Sequence, residues 1–163
     1  MKTKQQTSKE YFRALSTIYY AMIAGQIFFV LISFFLVYKG IIKEQDKDLN
    51  DVFSIIIPVF VLGVIMSSNI LFRNKLKKSK SKTLLIEKMN DYRSALLIRY
   101  ALLEGPCFLS IVAYLLCGVN LFLMLAGVII LIFSFYKPSV NKAVIELELN
   151  QTDTESLKGI SKY

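Results

Sequence analysis

Hydrophobic and polar positions in this chain are gathered into long blocks. Four apolar stretches stand out: Leu15 to Tyr38, with no charge between Arg13 and Lys39; Val52 to Phe72, bounded by Asp51 and Arg73; Ser94 to Cys117; and Val119 to Tyr136. A helix that crosses the ~30 Å hydrocarbon core needs about 20 mostly apolar residues at a rise of ~1.5 Å each. The blocks therefore predict an all-α fold, a bundle of four transmembrane helices. Lys137-Pro138 ends the fourth, since proline disfavours the helical conformation in the residue before it. The first stretch reads as a retained helix. Fourteen mostly polar residues precede it, its apolar run exceeds the ~7–15 residues of a signal-peptide core, and no small-x-small cleavage site follows.

The segments between the blocks set the expected orientation. Residues 1–14 carry Lys2, Lys4, Lys9 and Arg13, the 73–93 connector carries eight basic residues, and the 138–163 tail with Lys137 carries four lysines and four acids. The 39–51 loop has three lysines against four acids, and the turn at Gly118-Val119-Asn120 has no charge. Basic residues in short loops stay on the cytoplasmic side. Both termini and the 73–93 connector are thus expected in the cytoplasm, in a multi-pass protein of a bacterial cytoplasmic membrane.

Composition agrees with that reading. Of 163 residues, 55% are hydrophobic and 20% charged, with a mean hydropathy of +0.51. A soluble enzyme, a secreted disulfide scaffold and a disordered chain do not fit. With no His and no acidic cluster in the apolar blocks, neither a metal centre nor a cofactor is expected. The net charge of +8 comes from the connector and the N-terminal segment. Such lysines attract anionic lipid headgroups. The run from Arg73 to Lys82 has no aromatic residue to stack on bases, so nucleic acid is not an expected partner.

Sliding the chain by 80 residues lays 11–36 on 91–116 without a gap, matching Arg13 with Arg93, Tyr20-Ala21 with Tyr100-Ala101 and Gly25 with Gly105. A weaker match at 64 residues pairs Gly63-Val64-Ile65 with Gly127-Val128-Ile129. The spans thus read as two tandem hairpins, 15–72 and 94–137, parallel repeats about an axis along the membrane normal. Gly25, Gly63, Gly105 and Gly127 are candidate points of close helix approach. Thr83 to Tyr92 is expected to extend the third span as one rod. In the tail, Ser139 is positioned to cap a helix with Val140, Val144 and Leu147 on one face, and the chain is expected to be disordered after about residue 150.

Four polar residues in the spans carry the candidate chemistry. Glu104 lies ten residues into the third span, ~15 Å from its start. Intramembrane acids are costly, and functional by default. The following Gly105-Pro106 marks a kink, because proline leaves the carbonyl of Leu102 without its amide partner. Glu104 is either a proton or Na⁺ site or a protonated structural contact with Gln26, which has nearly the same depth. Arg99 either snorkels to the interface or meets Asn69 and Ser68. Cys107 and Cys117 are ~15 Å apart along one helix and read as small buried residues. Tyr11, Tyr38, Tyr92 and Tyr136 are expected at the interfaces as an aromatic belt.

The segment Arg99-Tyr100-Ala101-Leu102-Leu103-Glu104-Gly105-Pro106 resembles the carboxylate-bearing helix of rotary ATPase proteolipid (c-type) subunits. That resemblance implies Glu104 as the ion-binding carboxylate and Gln26 as a ligand. This chain differs in having 7 Gly in all and its carboxylate in the first helix of a hairpin. It is also similar to small uncharacterised four-helix bacterial membrane proteins with an Ala-Leu-x-Glu-Gly element and a Lys/Arg-Pro exit from the last helix. The expected function is a non-enzymatic bundle that associates with other membrane subunits or with itself. The alternative is proton or Na⁺ translocation through Glu104 in an oligomer.

Overall fold

The structure is a computed structural model that describes residues 8–41 and 47–159. These residues form six helices: α1 (Ser8–Tyr38), α2 (Lys47–Lys80), α3 (Leu85–Cys117), α4 (Asn120–Ser134), α5 (Val140–Leu147) and α6 (Gln151–Gly159). The all-α expectation holds, but the count is six among the described residues, not four. Three helices are long and apolar enough to cross a membrane, and α4 is a shorter apolar helix of 15 residues. Gly118 explains where α4 starts: it closes α3 in the left-handed region, with φ 66° and its amide donating to the Tyr114 carbonyl.

The basic connector is not a separate loop. α2 runs on to Lys80 and α3 starts at Leu85, so both long helices project past their apolar stretches and only 81–84 links them. Thr83–Tyr92 does extend the third apolar stretch as one rod, from Leu85. Lys82 within the link pairs with Asp91 at 2.9 Å. Its hydrogen bond to that carboxylate holds its ammonium above the ordinary lysine range.

α3 is the central helix, with α1, α2, α4 and α5 packed on it. The buried positions of α1 are Tyr11, Phe12, Leu15, Tyr19, Gln26 and Ser33, and the seven-residue spacing of Phe12, Tyr19, Gln26 and Ser33 keeps one stripe inward. α1 runs parallel to α3: the Tyr11 hydroxyl donates to the Met89 carbonyl at 2.6 Å, Tyr19 meets Tyr100 at 5.7 Å and Phe29 meets Phe108 at 5.5 Å. These pairs are separated by 78 to 81 residues, close to the repeat offset. The first pair of helices is corrected, however. α1 packs on α3 and α4, and is not packed along α2. The tight Gly118 turn forces α3 and α4 together. The four helix glycines also differ from expectation. Gly25, Gly63, Gly105 and Gly127 face outward, and a Cβ on any of them would meet nothing within 4 Å.

α5 and α6 fold back on the end of the bundle where α2 gives way to α3. The Ser139 side chain accepts from the Lys142 amide, as its position predicts, and Ala143 and Leu147 are buried beneath α5. The expected disorder after residue 150 is replaced by α6 through residue 159. Asn150 caps it by accepting from the Asp153 amide at 2.7 Å, Leu157 is buried, and Asp153 pairs with Lys88 at 3.2 Å. A polar composition concealed one apolar anchor and one ion pair.

Candidate functional site

Arg99 occupies the side of α3 that faces α2, and its surroundings come from α2 and from the segment just past α4. Asn69 of α2 accepts from its Nη2 at 3.2 Å. Phe72, one turn further along α2, lies against one face of the guanidinium with its ring centre 3.4 Å from Cζ. Tyr136, just past α4, lies 4.3 Å from Cζ, and its hydroxyl donates to the same Asn69 oxygen at 3.2 Å. Two aromatic rings and one amide thus hold a cation that is only 5% exposed. Its Nε has no hydrogen-bond partner, and it forms no ion pair with any described carboxylate.

The two readings left open for Arg99 are thereby separated. It meets Asn69; the Ser68 hydroxyl instead donates to the Ile65 carbonyl. The aromatic belt is corrected in part. Tyr92 is fully buried, donating to Glu146 at 2.8 Å, and Tyr11 is almost as deeply packed, whereas Tyr38 stays exposed. Tyr136 is half-buried as the lid on Arg99. Beside this cluster is a cavity of about 860 Å³ whose wall includes Arg99, Asn69, Tyr136 and Glu146.

Glu104 and Gln26 are placed on facing stripes but not joined. Glu104 falls four residues after Tyr100 and four before Phe108, the two α3 residues that meet α1. Gln26 lies between their partners Tyr19 and Phe29. Gln26 is fully buried, yet neither its Oε1 nor its Nε2 has a partner, and the buried Ser33 hydroxyl is also unpaired. Glu104 is half-buried and makes no hydrogen bond or ion pair with a described residue. Beside it Gly105 is exposed, and Pro106 is buried, its carbonyl accepting from the Ser110 hydroxyl at 2.8 Å. Both Cys107 and Cys117 are free and buried, in keeping with their reading as small buried residues.

A third arrangement was invisible in the sequence. The end of α4 leaves carbonyls without helical partners. Tyr19 donates to Ser134 at 2.9 Å, Lys142 to Phe135 at 2.6 Å and Tyr100 to Tyr136 at 2.7 Å. Each donor comes from a different helix, so these bonds fix the end of α4 beneath the Arg99 cluster. The matched tyrosines of the repeat, Tyr20 and Tyr100, do not share this role; Tyr19 does. Comparison with known proteins gives no match, whether with family models, curated proteins or solved structures.

Proposed function

We propose that the chain is a four-span integral membrane protein that acts by association, with a second copy or another membrane subunit, and not by catalysis. One observation carries the association reading. Ala21 and Gly25 on α1, and Ala101 and Gly105 on α3, form two outward-facing Ala-x-x-x-Gly stripes, and the half-buried Glu104 lies beside the second. Small residues at this spacing let a neighbouring helix approach closely, and a polar group beside them supplies an interhelical hydrogen bond. Gly25→Leu with Gly105→Leu is expected to weaken association by roughly tenfold, within the range of membrane helix contacts. The fold should be retained, because both glycines are exposed and a Cβ on either meets nothing within 4 Å. Energy transfer between labelled copies in vesicles, together with cross-linking in native membranes, measures this. Unchanged association in both would remove the reading.

Four crossings are supported by the placement of the chain ends. The start of α1, the 81–84 link and helices α5 and α6 all gather at one end of the bundle, through Tyr11 to Met89 and Lys80 to Glu148. α4 must therefore return the chain to that end. With the basic residues there, that end is cytoplasmic by the positive-inside rule. With Cys107 and Cys117 replaced by alanine, Gln45→Cys should react with an impermeant maleimide in intact cells, while the exposed Ser81→Cys should react only after lysis. The reverse pattern would invert the topology. Position 45 lies outside the described residues.

Ion translocation is favoured by a different observation, the unpartnered Gln26 amide on the stripe facing Glu104. A cation or proton held between them would satisfy both, with Glu104 as the titrating group. The resemblance to proteolipid subunits bears on this second reading only.

A further inference from the structure

One stripe of α2 changes character along its length. Met66 and Ile70 are exposed and apolar, and Arg73, Lys77 and Lys80 follow on the same stripe at alternating spacings of three and four residues. All five line the cavity of about 860 Å³ beside Arg99. From Met66 to Lys80 is ~21 Å at 1.5 Å per residue. The stripe thus offers a greasy half and a cationic half in one groove. Charges in the wall do not cancel. Lys80 is paired with Glu148 at 2.7 Å, and the Glu146 carboxylate accepts from Tyr92. Arg73, Lys77 and the buried Arg99 have no carboxylate partner among the described residues.

We infer that this groove is a binding site for one anionic glycerophospholipid, with its phosphate at Arg99, Arg73 and Lys77 and an acyl chain along Met66 and Ile70. The inference rests on the membrane reading above and is independent of association. A buried guanidinium, clamped between Phe72 and Tyr136 with its Nε unpartnered, forms no ion pair with a described carboxylate; Glu146 in the same wall is the one acid whose charge reaches it, against the four cations Arg73, Lys77, Lys80 and Arg99. Arginine suits a phosphate because its planar donors meet two oxygens at once. Asn69 and the Tyr136 hydroxyl, already bonded to each other, hold that plane in place. The groove's apolar half selects a lipid over a free phosphate ion, which would gain nothing from Met66 and Ile70. This site is distinct from the diffuse attraction of a basic loop to a charged surface, which needs no cavity and no buried arginine.

The test uses the purified full chain in detergent micelles doped with phosphatidylglycerol or phosphatidylcholine, with bound lipid counted by native mass spectrometry. One phosphatidylglycerol should be retained per chain, in preference to phosphatidylcholine, and millimolar inorganic phosphate should not displace it. Arg73→Gln with Lys77→Gln, at exposed positions where the fold is not at stake, should lower retention roughly tenfold, the scale of one lost charge-assisted contact. Arg99→Lys keeps the charge but loses the planar donors and should lower it comparably. Equal retention of the two lipids, or unchanged retention in the double variant, would overturn the inference. Displacement by inorganic phosphate would also overturn it, in favour of a free-anion site. A chain that enters micelles normally but shows no lipid preference leaves the membrane reading standing and removes only this site.

Discussion

Replacing Phe133 with alanine is expected to destabilise the bundle by about 3–5 kcal/mol, the range for removing a buried aromatic side chain. Phe133 has no exposed surface and lies where α1, α3 and α4 meet, with its ring 5.5 Å from Tyr19 and 5.1 Å from Tyr100. Those two tyrosines also hold the carbonyls at the end of α4, so a void at Phe133 loosens their rings and the bonds their hydroxyls make. The neighbours cannot readily collapse into the space, because each is tethered at its far end. Unfolding in mixed micelles, followed by tyrosine fluorescence, gives the number; a loss under about 1 kcal/mol would mean that the three-helix junction is not where stability resides.

Glu104→Leu is expected to weaken association by roughly 5- to 30-fold, which corresponds to about 1–2 kcal/mol, while Glu104→Gln should stay close to wild type. The amide keeps the size and the hydrogen-bonding capacity of the protonated acid and loses only its ability to titrate. No described residue bonds to Glu104, so the energy measured is that of the contact outside the chain. The same pair of variants discriminates the ion reading. Proton or Na⁺ flux in vesicles that is present in wild type and abolished by Gln would replace association with translocation. Carbodiimide labelling of Glu104 that Na⁺ suppresses would point the same way.

The long elements were legible because the membrane-length apolar blocks have charged borders. α1, α2 and α3 each contain one such block; the 80-residue offset matched Tyr20 with Tyr100 but carried no sign that α1 packs directly on α3 through Tyr19 and Phe29. Helix extensions at the charged end were legible only in part, since lysines continue a helix as readily as they form a loop. α6 was missed because its evidence is a single buried leucine and an ion pair to Lys88, 65 residues away. Arg99 and Asn69 were recognised as polar residues at similar depth. The aromatic clamp was not, because Phe72 and Tyr136 each look like an ordinary end of an apolar block. Their convergence depends on the antiparallel packing of α2 on α3 and on the turn after α4, neither of which has a local signature. Glycine placement failed for a related reason: small residues mark close approach, but not whether the approaching helix belongs to the same chain.

The position of α3 also bears on how the protein is made. α1 and α2 leave the ribosome first, yet neither has the other as a packing surface. Until the third helix arrives, the nascent chain holds two helices that do not pack along each other. Before then the inward stripe of α1, with Gln26 and Ser33 on it, has no packing surface from α3. Synthesis of Leu85–Cys117 supplies in one step the surface on which both earlier helices come to rest.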